Sequence, residues 1–179
     1  RLMCDTFAPR IQKGAGRVTV SRLPYFAEQL VEFMADLEVL VLVGTKPPVT
    51  FFAYPGKPSW GTAETTEILH LAHAHEDGVA ALQELADDLH AASHQPAVAQ
   101  FVIDSTIGDK LDGFSIGRSI ARHLPENAII ADEGGTSGGG AQVALATSVP
   151  HDQISLTGGS IGQGLPMATG AAVAANGQR

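Results

Sequence analysis

Length, composition and charge limit what this chain can be: at about 150 residues per domain, its 179 residues correspond to one compact domain, or to one domain and part of another. The 44% hydrophobic and 17% charged fractions are typical of a folded chain with a buried core and exclude a disordered one. A net charge of −8, from 11 Lys and Arg against 19 Asp and Glu, argues against nucleic acid or an anionic membrane as the main partner.

The first third of the chain alternates predicted helix and strand. Pro24 favours the start of a helix, and apolar residues at roughly helical spacing continue it to Asp36. Residues 39–43 form a continuous apolar run, which is typical of a parallel strand covered on both faces. Residues 67–71 predict a further short strand. The segment 45–61 between them is rich in proline and aromatic residues, and its aromatic content favours an ordered loop.

The middle of the chain contains one strong helix signal followed by a loss of periodicity. Residues 76–92 place apolar side chains on one stripe and acidic side chains on the other, as in an amphipathic helix. After this helix the residues are mixed and polar. We therefore place a domain boundary within about residues 95–110.

The last third repeats one unit, in which a strand runs into a glycine-rich loop that opens a helix. After a helix over 114–123, the predicted strands are 127–131, followed by the loop 132–137, and 153–157, followed by the loop 158–162; a further helix begins near Leu165. In open parallel sheets, ligands bind at the carboxyl ends of strands, and helix N-termini there bind phosphate groups.

Glycine is concentrated in these loops. Of the 20 glycines, half lie in the short stretch from 134 to 170. Such clustering indicates either tight turns or a close approach of backbone to a ligand. Neither loop has the lysine of a Walker A motif or the spacing G-x-G-x-x-G, which argues against ATP and NAD. A phosphate-bearing cofactor and purely structural turns both remain open on the local pattern.

Two groups of titratable residues are candidates for chemistry. Asp132 and Glu133 stand at a strand end, where catalytic groups often project, although Asp132 is also well placed to cap the following helix. His70, His73 and His75 precede two acidic residues. They could bind a metal, but a solvated loop before a helix is the simpler interpretation, and we assign no metal ligands in this chain.

Several features bear on location. The N-terminal residues include no apolar signal segment, and the long uncharged run 153–175 is interrupted by polar residues and proline, so no membrane span is predicted. The single cysteine, Cys4, cannot form an internal disulfide, which favours a reducing compartment. We therefore expect a cytoplasmic protein.

Three segments together resemble one enzyme family. Residues 41–59 (VLVGTKPPVTFFAYPGKPS), 128–137 (AIIADEGGTS) and 158–170 (GGSIGQGLPMATG) are similar to the thiamine-diphosphate-dependent 2-keto acid decarboxylases and carboligases, closest to the acetolactate synthase large subunits. The resemblance covers essentially the whole chain, and its last segment is the most specific.

The resemblance implies an α/β fold with two domains. Residues 1–95 would be part of a central Rossmann-like domain with a parallel sheet, of the DHS-like type. Residues 96–112 would be a linker, and residues 113–179 the beginning of a second α/β domain, which binds thiamine diphosphate. The chain would then be a fragment, inactive alone, of an enzyme that decarboxylates or ligates 2-keto acids as a homodimer or homotetramer.

The resemblance also implies individual site residues. Gly135, Thr136 and Ser137 would contact the diphosphate, and Glu133 in the same loop is a further cofactor-binding candidate. Gly159 would offer its carbonyl to the aminopyrimidine ring, with Ser160 beside it. Ile161 would wedge between the two rings and hold the cofactor bent, which makes it the catalytic candidate; the bound cofactor then supplies the carbanion and the electron sink.

Two departures from the family limit what this chain could do by itself. The Gly-Asp-Gly motif that holds Mg²⁺ is expected beyond residue 179, and the activating glutamate belongs to another domain. Residues 46–48 differ from members that carry FAD, which argues against FAD. A non-catalytic Rossmann-type module that binds a nucleotide or CoA is the alternative.

Overall fold

The structure is a computed structural model that describes residues 1–106, 108 and 110–178. The predicted linker 96–112 thus contains two positions, 107 and 109, that lie outside the described residues, as does the last position of the predicted domain 113–179. The elements in chain order are β1 (Met3–Cys4), β2 (Arg10–Lys13), β3 (Ser21–Arg22), α1 (Ala27–Met34), β4 (Val39–Val43), β5 (Glu67–Ala72), α2 (Gly78–Asp88), a 3-10 turn (Ala91–Ser93), α3 (Gly113–His123), β6 (Ile129–Asp132), α4 (Gly138–Leu145), β7 (His151–Ser155) and α5 (Gly164–Ala175).

The chain divides into two compact units. The N-terminal unit comprises Met3–Thr6 and Arg22–Gln95, and the C-terminal unit comprises Arg1–Leu2, Phe7–Ser21 and the residues from Pro96 onwards. Each contains parallel strands and helices, so the predicted α/β class is confirmed. None of the helices in the described ranges is long and apolar enough to cross a membrane.

The core of the N-terminal unit lies between α1 and one face of a small parallel sheet. β4 and β5 pair in parallel, and Leu30 and Met34 of α1 are buried against Leu40 and Leu42 of β4. The predicted strand is confirmed, but its predicted burial on both faces is wrong. The side chains of β4 point alternately to the two faces of the sheet. Val39 and Val41 therefore lie on the face opposite the core and are about half exposed.

Helix α2 confirms the helix predicted over residues 76–92, but it is shorter and spans Gly78–Asp88. Its first turn is fixed by Asp77, whose carboxylate accepts hydrogen bonds from the N–H groups of Val79 (3.1 Å) and Ala80 (3.0 Å). The predicted apolar stripe is mostly exposed among the described residues: Val79 and Leu89 keep more than half of their surface in water.

The C-terminal unit is built on a three-stranded sheet in the order β2-β7-β6. β6 and β7 are parallel, whereas β2 pairs with β7 in antiparallel fashion. Residues 7–21, which the resemblance predicts to lie in the domain of residues 1–95, therefore pack with the C-terminal residues. The physical reason is the ladder between β2 and β7, reinforced by the guanidinium of Arg10, which donates two hydrogen bonds to the buried carboxylate of Asp152 (3.1 and 2.9 Å).

Helices α3 and α4 approach each other through glycines. A Cβ atom on Gly117 would lie 2.4 Å from the Cα of Ala141, and one on Gly140 would lie 2.5 Å from the backbone of α3. This backbone-to-backbone contact brings α4, and the loop before it, close to α3.

Asp112 caps α3 by accepting the N–H of Ser115 (2.8 Å), and this bond is the main cause that lowers the pKa of Asp112.

We predict that Gly117→Ala lowers the free energy of unfolding by about 1–3 kcal/mol, because the added methyl group must push the two helices apart. Gly170→Ala is the matched control, since it lies within α5 with no heavy atom within 4 Å of its Cβ position. That control should be neutral or stabilising by up to about 1 kcal/mol. Chemical denaturation of both variants measures the difference; equal effects would contradict the close contact.

Candidate functional site

Two loops lie side by side at one edge of the C-terminal sheet. The first loop (residues 133–137) follows β6 and opens α4, and the second loop (residues 156–163) follows β7 and opens α5. Because β6 and β7 run in parallel with Asp132 opposite Ser155, both loops leave the sheet at the carboxyl ends of neighbouring strands. This is the position at which ligands bind in open α/β sheets.

The first loop is anchored by Asp132. Its Oδ1 accepts the N–H of Gly134 (2.8 Å), and its Oδ2 accepts the side-chain amides of Gln142 (2.7 Å) and Gln153 (2.8 Å). The prediction that Asp132 caps the next helix is wrong, because Ser137 occupies that position and Asp132 bonds instead within its own turn and to β7 and α4. Both carboxylate oxygens are engaged, so Asp132 shapes the loop.

The start of α4 leaves room for an anion. Its N-cap residue, Ser137, makes no capping side-chain hydrogen bond, and its first turn holds no acidic residue, unlike the starts of α2 and α3, which Asp77 and Asp112 cap. Thr136 and Ser137 are exposed, and a Cβ on Gly135 would meet no heavy atom within 4 Å. Hydroxyl groups beside an uncapped helix N-terminus suit a phosphate group.

The second loop projects Ile161 into solvent. The base of the loop is closed by Gln163, whose Oε1 accepts the N–H of Thr157 (3.1 Å). Gly158, Gly159 and Gly162 have φ values of 61°, 71° and 93°, which residues with a side chain rarely adopt. Ser160 is exposed, and Ile161 at the tip is 94% exposed.

Glu133 joins the two loops. Its Oε1 accepts the N–H of Gly162, and its Oε2 accepts the N–H of Gly164 at 2.6 Å. Its own carbonyl also accepts the N–H of Gly135 in the first loop (2.9 Å). The sequence suggested Glu133 as a cofactor-binding residue but gave no sign of these partners, because they lie about thirty positions away along the chain.

The histidines of the N-terminal unit form a stack. The ring centroids of His70 and His73 are 4.7 Å apart, and those of His73 and His75 are 5.8 Å apart. The backbone N–H of His73 donates to Glu76, and this bond is the main cause that lowers the pKa of Glu76. In the described part of the chain, no three or more His, Cys, Asp or Glu residues are arranged to hold a metal ion.

The α/β fold places two loops at the ends of neighbouring parallel strands, and sequence comparison narrows the class of protein. A curated protein of Mycobacterium tuberculosis (strain ATCC 25618 / H37Rv), named "Putative acetolactate synthase large subunit IlvX", is 41% identical over 177 residues, or 98% of this chain. This identity confirms the predicted resemblance to the acetolactate synthase large subunits. The chain spans about a third (34%) of the length of that relative. No family model and no solved structure matches the chain.

We predict that Asp132→Asn lowers the free energy of unfolding by about 1.5–3 kcal/mol, because an NH₂ group would replace an oxygen that accepts two amide donors. Asp88→Asn at the exposed end of α2 is the control and should change stability by less than about 0.5 kcal/mol. Urea denaturation of the two variants provides the comparison. If Asp132→Asn were as stable as the control, the anchoring role of Asp132 would have to be abandoned.

Proposed function

We propose that this chain supplies part of the thiamine diphosphate site of an acetolactate-synthase-like enzyme that acts on 2-keto acids. The observation that carries the proposal is the pair of adjacent strand-end loops, of which one opens an uncapped helix beside two hydroxyl groups and the other projects an exposed isoleucine. The name of the M. tuberculosis relative supports the same assignment.

The residues of the first loop fit a diphosphate. The hydroxyl groups of Thr136 and Ser137 would donate hydrogen bonds to the diphosphate oxygens. They lie next to the N-terminus of α4, where the helix dipole favours negative charge. Gly135 would allow close approach, since open space surrounds its Cβ position. Residues outside this chain would bind the Mg²⁺ that completes the site, because no Gly-Asp-Gly motif occurs among the 179 residues.

The residues of the second loop fit the organic part of the cofactor. When bound, the cofactor supplies a nucleophilic carbon and an electron sink for breaking or making a bond next to a keto group. Gly159 would accept a hydrogen bond from the aminopyrimidine ring through its carbonyl, with Ser160 next to it. Ile161 would fill the space between the two rings, and its exposure leaves it free to do so.

The wider properties of the enzyme follow from the same proposal. The substrate would be a small 2-keto acid, and the reaction would be decarboxylation, carboligation or both. We place the enzyme in the cytoplasm as a homodimer or homotetramer. Residues 1–95, apart from residues 1–2 and 7–21 that pack with the C-terminal unit, would belong to its central domain. Residues 113–179 would belong to its diphosphate-binding domain, with 96–112 as the linker.

The alternative of a nucleotide- or CoA-binding module receives less support. In α/β proteins a phosphate group is commonly bound at the N-terminus of a helix that follows a parallel strand. In α2, the helix that follows β5, the carboxylate of Asp77 accepts the N–H groups of Val79 and Ala80 in the first turn. That carboxylate would repel a phosphate.

The proposal is tested by titrating the full-length protein with thiamine diphosphate and Mg²⁺ in a calorimeter and by measuring carbon dioxide release from a panel of 2-keto acids. We expect saturable cofactor binding and turnover of at least one keto acid. The 179-residue chain alone should show no tight binding, because the metal ligands are outside it. Absence of cofactor binding by the full-length protein would refute the proposed function.

We predict that Ile161→Gly lowers kcat by about a hundredfold with little change in KM, because the cofactor would lose the side chain that fixes its reactive geometry. Leu111→Gly is the matched control, since Leu111 is also an exposed apolar loop residue. Steady-state kinetics of the full-length variants measure both constants. Unchanged kcat in Ile161→Gly would remove Ile161 from the catalytic role.

A further inference from the structure

We propose that Glu133 is a positioning residue that fixes the second loop against the first and thereby sets where Gly159 and Ile161 lie. The effect on cofactor contacts rests on the proposed function, whereas the claim that Glu133 holds the second loop does not. The resemblance suggested that Glu133 binds the cofactor. The geometry points to a different task.

Both oxygens of the Glu133 carboxylate are used by backbone. One accepts the N–H of Gly162 and the other accepts the N–H of Gly164 (2.6 Å), so a single side chain holds two positions on either side of Gln163. Hydrogen bonds to an ionised carboxylate are about twice as strong as those between neutral groups. One carboxylate oxygen is therefore bonded to the second loop, and the other is bonded to the first residue of α5.

The close approach at Gly164 shows that this contact is built into the packing. A Cβ on Gly164 would lie 2.5 Å from Oε2 of Glu133 and 2.9 Å from its Cβ. Gly164 is buried, and it is the first residue of α5. Only glycine at this position lets the glutamate reach the backbone.

Glu133 also replaces the missing cap of α5. The N-cap residue of α5, Gln163, makes no capping hydrogen bond, because its side chain bonds to Thr157 instead. A carboxylate at a helix N-terminus is favoured by the helix dipole. Glu133 thus stabilises the start of α5 from the neighbouring strand.

The result is a second loop whose two ends are bonded to each other and whose C-terminal end is also bonded to Glu133. Gln163 bonds to Thr157 at the base, and Glu133 holds Gly162 and Gly164. The residues between Thr157 and Gly162 are 158–161, and residues 159–161 among them are those with proposed contacts to the cofactor. The main-chain carbonyl of Glu133 also accepts the N–H of Gly135. The backbone of the same residue therefore takes part in the turn of the loop proposed to hold the diphosphate.

The first test measures amide hydrogen exchange in the full-length protein without added cofactor. In Glu133→Gln, an NH₂ group replaces one accepting oxygen, so exchange at Gly162 and Gly164 should accelerate by at least about tenfold while β6 and α3 keep their protection. Glu126→Gln, an exposed glutamate in the turn before β6, is the control and should exchange like the wild type. Unchanged exchange at Gly162 and Gly164 would overturn the proposal.

The second test measures kinetics and thiamine diphosphate affinity in the same proteins. We expect Glu133→Gln to lower kcat and cofactor affinity by about tenfold or more with KM for the 2-keto acid unchanged, and Glu133→Asp, which keeps the charge but reaches less far, to lie between it and the wild type. Faster exchange with unchanged kcat and cofactor affinity would overturn the positioning role. If Glu133→Gln does not fold, Glu133→Asp decides by the same criteria.

The two tests separate this inference from the proposed function. If the wild-type protein does not bind thiamine diphosphate, the proposed function fails. The exchange experiment still decides whether Glu133 holds the second loop, because it requires no cofactor.

Discussion

The arrangement of the site depends on the carboxylate of Glu133, which accepts one backbone N–H from the second loop and another from the first residue of α5. Parallel pairing of β6 and β7 brings the two loop starts together, but pairing alone leaves loops free to move. Glu133 removes that freedom by bonding to Gly162 and Gly164. Asp132, one position earlier, does the same for the first loop through Gly134 and two glutamine side chains. Adjacent carboxylates therefore order two different loops.

Glycine is required in this unit for two separate physical reasons. At Gly117 and Gly164, a Cβ would collide with α4 or with Glu133, so the need is for space. At Gly158 and Gly162, nothing is close enough to collide, and the positive φ value sets the requirement. The glycine cluster from 134 to 170 predicts either tight turns or a close approach of backbone to a ligand. The positive φ values at Gly158 and Gly162 confirm turns, the close approach at Gly164 is to Glu133, and an approach to a ligand stays a prediction.

The sequence predicted the elements well where the pattern is local. The strand β4, the helix α3 and both glycine-rich loops follow from apolar runs, spacing and glycine content over a few residues. What it missed depends on partners far along the chain. β2 lies over 130 residues from its partner β7, and Glu133 lies about thirty residues from the N–H groups of Gly162 and Gly164. No local sequence pattern therefore indicates either contact. The exposed face of β4 was missed because a continuous apolar run resembles a strand covered on both faces. The roles of Gly159, Ser160 and Ile161 come from resemblance and stay predictions.

The measurement that tests this account most directly is a crystal structure of the full-length protein with thiamine diphosphate and Mg²⁺. The account predicts the diphosphate at the start of α4 against Thr136 and Ser137, Ile161 in contact with both rings, and the Glu133 carboxylate still bonded to Gly162 and Gly164. A cofactor bound away from the two loops, or a Glu133 side chain turned from the second loop toward the cofactor, would contradict it.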